Sequence, residues 1–125
     1  MNEKFYLGTY TKRVSKGVYS VTLNKETAQL ESLTLEAAID NPTYLSYSKS
    51  DRLLFAVGKG EEHCGISASN ALTSPVEPLA SYHDQKAVPC YIRYNEKQET
   101  CSPLIITEDS LNYTTTTKKT VLLLL

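Results

Sequence analysis

Few side chains in this sequence are equipped for chemistry: two histidines, His63 and His83, and three cysteines, Cys64, Cys90 and Cys101. His63 follows Glu61-Glu62, and neighbouring carboxylates raise the basicity of an imidazole; the commoner reading of such a loop histidine is a solvated surface group. His83 falls near the end of an outer strand and reads as structural. An odd number of cysteines without the paired spacing of a zinc site points to reduced thiols, so neither a disulfide framework nor a metal is expected. Cys90, on an expected inner strand, reads as a small buried hydrophobe. There is no glycine-rich phosphate loop, no Ser or Cys with a convincing base, and no carboxylate pair at functional spacing. The residues alone assign no catalytic group and imply no cofactor.

The setting of these groups is nearly neutral. Thirteen basic and fourteen acidic residues are interspersed along 125 positions, for a net charge of −1. No basic face is offered to nucleic acid and no acidic tail to a cationic partner. Met1-Asn2-Glu3-Lys4 runs directly into a strand-like segment without the apolar stretch of a secretory signal, which predicts a cytoplasmic protein. The apolar run Val121 to Leu125 is far shorter than the roughly 20 residues that cross a bilayer, so no membrane association is expected.

The elements that must position these groups are strands. Nine tyrosines accompany abundant Val, Thr, Leu and Ile. In Gly17-Val18-Tyr19-Ser20-Val21-Thr22-Leu23, Tyr19, Val21 and Leu23 share one face and Ser20 and Thr22 the other, the period of a half-buried strand. Asn24-Lys25-Glu26-Thr27 is a polar turn. A strand resumes over 29–35, with a short helix through Glu36-Ala37-Ala38 as the competing reading. A further strand is predicted over 41–47, opened by Pro42, then a turn at Ser48-Lys49-Ser50-Asp51, then a strand over 52–58.

Laid on itself, the chain repeats. Asn41-Pro42-Thr43-Tyr44-Leu45-Ser46-Tyr47 matches Val88-Pro89-Cys90-Tyr91-Ile92-Arg93-Tyr94 at an offset of 47. Gly17-Val18-Tyr19-Ser20 matches Gly65-Ile66-Ser67-Ala68 at 48, and Lys4-Phe5-Tyr6-Leu7 matches Arg52-Leu53-Leu54-Phe55 at the same offset. A period near 48 with four strands per unit is the size of a propeller blade. The expected architecture is therefore all-β, a β-propeller, with about two blades of a larger ring: a partial blade over 4–39 lacking its innermost strand, a full blade over 42–83, and the start of the next over 88–98. The missing strand is expected from the other end of a longer chain, since ring closure removes exposed edges.

These residues resemble the seven-bladed lactonase family, of which bacterial 6-phosphogluconolactonase is a member. The resemblance rests on Tyr6-Leu7-Gly8-Thr9-Tyr10-Thr11, Gly17-Val18-Tyr19, Asn41-Pro42-Thr43-Tyr44-Leu45 and Leu53-Leu54-Phe55-Ala56-Val57. It extends through His63-Cys64-Gly65-Ile66-Ser67-Ala68-Ser69, which is similar to the family's His-Gly-Gly-Ile-Ser-Ala-Phe. Cys64 and Ser69 depart from that pattern. The resemblance covers about residues 4 to 98. It implies an N-terminal fragment of an enzyme that hydrolyses 6-phosphogluconolactone to 6-phosphogluconate in the pentose phosphate pathway. Such chemistry needs a base that directs water at the ring ester and cations that steady the oxyanion and the phosphate. The family's proposed His, Arg and Glu lie in later blades, so no catalytic residue carries over and the fragment itself is expected to be inactive.

In an up-and-down blade, the connections between strands two and three and those between blades share one rim. These are Tyr10 to Lys16, Gly58 to Cys64, Asp40 to Pro42 and Lys86 to Pro89. They carry Lys12, Arg13, Lys16, Lys59, His63 and Lys86, from which Lys59 and His63 are the candidate substrate-binding residues for a phosphorylated sugar lactone. Exposed loop cations are as a rule simply solvated, and that reading stands beside it. From Glu99 onward the pattern changes: Pro103 sits inside an expected strand over 100–105, and Thr114-Thr115-Thr116-Thr117-Lys118-Lys119 has neither alternation nor turn chemistry. Back-translating 101–113 and reading from each third base can give Leu-Ser-Ala-Asn-Tyr-His-Arg-Gly-Gln-Phe-Glu-Leu, which is strand, glycine turn, strand. Residues 99–125 are thus expected to be a divergent tail, frameshifted or disordered. Two other functions stay open: a non-catalytic interaction propeller, and a small β protein that self-associates because repeat units need stacked neighbours.

Overall fold

The computed structural model describes residues 1–85, 87–106, 111–113 and 116–117. They form three antiparallel sheets and no helix. Sheet one is β1 (Asn2–Leu7), β2 (Val18–Asn24) and β3 (Gln29–Ala37), in that order. Sheet two is the meander β4 (Leu45–Ser48), β5 (Leu53–Lys59), β6 (Cys64–Asn70) and β7 (Glu77–Gln85). In sheet three, β9 (Thr100–Ile106) pairs with β8 (Tyr91–Asn95), and with β10 (Leu111–Tyr113) and β11 (Thr116–Thr117). β10 and β11 hold one common register on β9, Leu111 opposite Ile106 and Thr116 opposite Cys101. The first sheet thus has three strands, the second four, and the third is built from β8 to β11. β3 continues through Glu36 to Ala37, which excludes the helical alternative there.

Local chemistry explains the hairpins. A side-chain oxygen at the end of one strand gathers the amides of the turn, and a residue four positions on takes the left-handed conformation that closes it. Asn24 Oδ1 accepts from the amides of Glu26 and Thr27, and Ala28 has φ 55°. Ser48 Oγ accepts from the Asp51 amide, and Arg52 has φ 54°. Asn95 Oδ1 accepts from the amides of Lys97 and Gln98, and Glu99 has φ 52°. The turn that ends on Glu99 is thus built like the two before it.

The sheets stack through alternating faces. Phe55, Val57, Ile66 and Ala68 of sheet two are buried with Ile92, Tyr94 and Cys101 of sheet three. Leu54, Ala56 and Val76 point the other way, onto Val18 and Tyr6 of sheet one. Ring pairs join neighbouring sheets: Tyr6 on Tyr47 at 5.1 Å, Phe55 on Tyr94 at 4.7 Å and Tyr44 on Tyr91 at 4.9 Å. These are offset or tilted arrangements, favoured by the ring quadrupole.

The ladders revise one of the three repeat matches. Ser20 lies opposite Tyr6, and its mate Ala68 lies opposite Phe55. The mate of Tyr6 is therefore Phe55, 49 positions on, rather than Leu54 at 48. A one-residue slip exchanges the two faces of a strand, and only the offset of 49 makes Tyr6 on Tyr47 and Phe55 on Tyr94 equivalent contacts. Similarity between short apolar strands does not fix register, because both faces carry apolar residues.

Three further expectations change. The strand predicted over 41–47 begins only at Leu45: Asn41 has φ 49°, and Pro42, which brings no amide, is buried in the connector ahead of it. Cys90 is exposed, not buried. The alternation begins with Tyr91, and the buried residue of that connector is Pro89. Pro103 does not break β9, where it lies opposite Ile92. Among the described residues, β10 covers positions 104–106 and β11 covers 100–101 on the opposite edge, leaving Pro103 where no further ladder asks for its amide. Of the expected tail, positions 107–110, 114–115 and 118–125 lie outside the described residues, as does Lys86.

Candidate functional site

Three of the four connections expected to share a rim meet at one end of the sheets. The β1 to β2 loop reaches the β3 to β4 connector through Thr11, whose amide donates to Asn41 Oδ1 at 3.1 Å and whose hydroxyl accepts from the Asn41 amide at 3.1 Å. The Thr11 hydroxyl also contacts the Asp40 carboxylate. Asp40 is bridged in turn to the end of β5, its carbonyl accepting from the Lys59 amide at 2.9 Å. Within the first loop, the Thr9 hydroxyl donates to the Gly17 carbonyl at 2.6 Å. Gly17 has φ 154°, and a Cβ there would lie 2.1 Å from the Ala37 carbonyl oxygen, so this crossing requires glycine.

Beside this rim a groove of about 590 Å³ opens between the β3 to β4 connector and the outer strands β6 and β7. Lys59 and Asp40 line it near the rim, with Ser67, Ser81 and His83 along the sheet. Ser67 and Ser81 are cross-strand partners, so their side chains share the face turned to sheet one. The volume is that of a small-molecule pocket.

The two sequence candidates separate here. Lys59 lines the groove; His63, at the far side of the same turn, is exposed and outside the lining. The turn between them is closed by the Gly60 amide on the His63 carbonyl at 2.8 Å. In place of His63 the groove takes in His83, which packs over Gly60 so that a Cβ there would come within 3.2 Å of the imidazole. Burial pushes the His83 imidazole below its ordinary value, leaving it neutral at neutral pH. Lys12, Arg13 and Lys16 are exposed on the first loop, Lys12 standing 5.8 Å from the ring of Tyr10. The pattern that could have drawn attention to His83 is its spacing: Leu79, Ser81 and His83 alternate along β7 onto one face.

The second notable group is Glu36, whose side chain is fully buried. Its Oε1 meets Lys4 Nζ at 2.7 Å and accepts from Ser20 Oγ at 2.6 Å and Ser74 Oγ at 2.8 Å; Oε2 is buried with no hydrogen-bond partner. Burial raises the carboxyl, and the hydrogen bonds and charge of its partners outweigh that, holding it below the ordinary range. Sequence reading gave no hint of it, because Glu36 pairs with residues far along the chain. Among the described residues, no three His, Cys, Asp or Glu side chains are grouped to hold a metal ion, and no helix is long and apolar enough to cross a membrane.

The decisive comparison is with known families: the family described as lactonase, 7-bladed beta-propeller, matches residues 4–101. The chain belongs to this family. Its three sheets are numbered blades one to three in chain order. A protein of Lactococcus lactis subsp. cremoris (strain MG1363), itself uncharacterised, is 38% identical over 99 residues, which make up 79% of this chain and 29% of that protein. The 6-phosphogluconolactonase of Bacillus subtilis (strain 168) is 38% identical over 63 residues, 50% of this chain and 18% of the enzyme. Among solved structures, a Lactobacillus plantarum protein superposes with a TM-score of 0.76 at 28% identity, over 94% of this chain and 38% of its own. A Bacteroides uniformis protein provisionally named a 6-phosphogluconolactonase superposes at 0.64 with 25% identity, covering 86% of this chain and 34% of its own. The chain thus spans about three-tenths to two-fifths of the length of these relatives and structures when matched along most of its own length.

Proposed function

We propose that this chain is part of a cytoplasmic sugar-lactone hydrolase of the 6-phosphogluconolactonase kind. The observation that carries the reading is the family match over 4–101. The rim of blades one and two supplies binding groups and no complete catalytic set, the base and oxyanion-stabilising cations coming from later blades. Lys59 offers a cation to a phosphorylated lactone, with His63 on the same turn. Asp40 and neutral His83 offer hydrogen bonds beside them.

The test is a complete propeller in which residues 1–98 replace the matching segment of the Lactococcus relative, assayed for hydrolysis of 6-phosphogluconolactone against its spontaneous opening. Hydrolysis with a KM raised on the order of tenfold by Lys59→Met and unchanged kcat supports the reading. A folded chimera without lactonase activity favours the non-catalytic interaction propeller instead. The 125-residue chain alone is expected to be inactive.

A second reading applies to the chain by itself, which we propose self-associates. β1 lies at the edge of its sheet, and the face of blade one turned from blade two exposes Phe5, Leu7 and Leu33. Edges and apolar faces of this kind pair with other copies; a monodisperse monomer by light scattering would remove the proposal. The changed character after Glu99 is proposed to reflect a shifted reading frame, and resequencing that found the frame intact would exclude it.

A further inference from the structure

The two blade joints are built from different chemistry. Between blades two and three lie a stacked aromatic pair, the buried Ile92 and Cys101, and direct bonds from Ser48 Oγ to Glu96 Oε1 at 2.8 Å and from Tyr94 Oη to Asp51 Oδ2 at 2.7 Å. Between blades one and two the apolar cluster is smaller, and a buried carboxylate stands beside it. Glu36, on the outermost strand of blade one, draws Lys4 from β1, Ser20 from β2 and Ser74 from the loop after β6 onto a single oxygen. Ser74 is its partner from the second blade.

We propose that Glu36 is a charge-dependent latch: ionised, it fastens blade one together and to blade two, and neutralised, it lets blade one loosen while blades two and three stay joined. The reason is that every named partner converges on Oε1 and Oε2 has none, so the hold is concentrated on one oxygen, which accepts more weakly once the charge is lost. A neutral group at this position loses the ion pair with Lys4 and weakens the bonds from Ser20 and Ser74, and a buried polar group so held is costly. The titratable and charged groups facing it are Lys4 and Tyr6 from β1, with Asp40, Lys59 and His83 along the groove it borders. The carboxyl is held below its ordinary value, so the latch is closed above that value and opens as pH falls through the lowered one.

Hydrogen exchange on the 125-residue chain at pH 7 tests the proposal. Glu36→Gln is expected to speed exchange of amides in 2–37 on the order of tenfold or more, leaving 53–70 and 91–101 as in the wild type. Ser74→Ala, which removes only the donor from blade two, should produce a smaller change with the same distribution. Taking the wild type from pH 7 to well below 4.5, with exchange corrected for its intrinsic pH dependence, should shift 2–37 towards the Glu36→Gln pattern, while the variant changes little there. Equal protection of 2–37 in Glu36→Gln and wild type overturns the latch. So does loss of protection in all three blades together, and if Glu36→Gln does not fold, an unchanged pattern in Ser74→Ala overturns it.

Discussion

Replacing Phe55 with Ala tests how neighbouring blades are held. Phe55 is 1% exposed and stacks on Tyr94 with ring centroids 4.7 Å apart and planes 27° apart. Removing a buried phenyl ring costs about 3–5 kcal/mol in lost transfer energy and unfilled volume, against a total of roughly 5–15 kcal/mol for a domain. With a urea dependence near 1.5 kcal/mol/M, the midpoint falls by roughly 2–3 M. Phe55→Leu keeps most of the volume and is expected to cost about 1–2 kcal/mol. A double-mutant cycle of Phe55→Leu with Tyr94→Leu isolates the ring pair, expected at about 0.5–1.5 kcal/mol. The register argument sharpens the test. Tyr6 occupies the corresponding place in blade one, whereas Phe5 points away and is 41% exposed. Urea unfolding followed by circular dichroism should show Tyr6→Ala lowering the midpoint more than Phe5→Ala. The reverse order, or a coupling of zero between positions 55 and 94, would refute the assignment of equivalent ring pairs.

Gly65→Ala places a Cβ 1.9 Å from the Tyr82 carbonyl oxygen and 2.9 Å from His83 Cα, so the ladder between β6 and β7 must shift; a loss of at least about 1–3 kcal/mol is expected by urea titration, and a neutral effect would contradict the register. Thiol labelling at pH 7 should modify the exposed Cys90 and spare Cys101, whose thiol is fully buried and pushed up to about 12; equal native-state rates by mass spectrometry would contradict that burial. The His83 imidazole should titrate below 6.5 by NMR, because burial disfavours its charged form. Its unfolded counterpart binds the proton first as pH falls, so this histidine's contribution to stability is present above 6.5 and declines as pH drops through the lowered value; His83→Gln should flatten that part of the pH profile.

Much of this architecture was legible in local sequence. The alternation in 17–23, the polar turns at 24–27 and 48–51, and the Pro-Tyr-aliphatic-Tyr spacing shared by 42–47 and 89–94 are set by a residue's own backbone preferences and those of its near neighbours, and they yielded the strands, the all-β fold class and the family. Other features depend on which strands face one another, and these required the assembled sheets. Tyr6 pairs with the face of Phe55 rather than that of Leu54 because a ladder fixes register through both partners, which apolar matching cannot see. Cys90 emerged at the surface since the inner strand starts only at Tyr91, just after it. His83 came to the groove with Lys59, and His63 did not, because a four-residue turn sends its two ends to different sides. Glu36 shows the limit most clearly: its type and position say surface strand, and only the packing of β1, β2 and the Ser74 loop around it makes it a buried carboxylate. Local preference decides which segments become strands, and long-range packing decides which side chains lose their water and therefore acquire unusual chemistry.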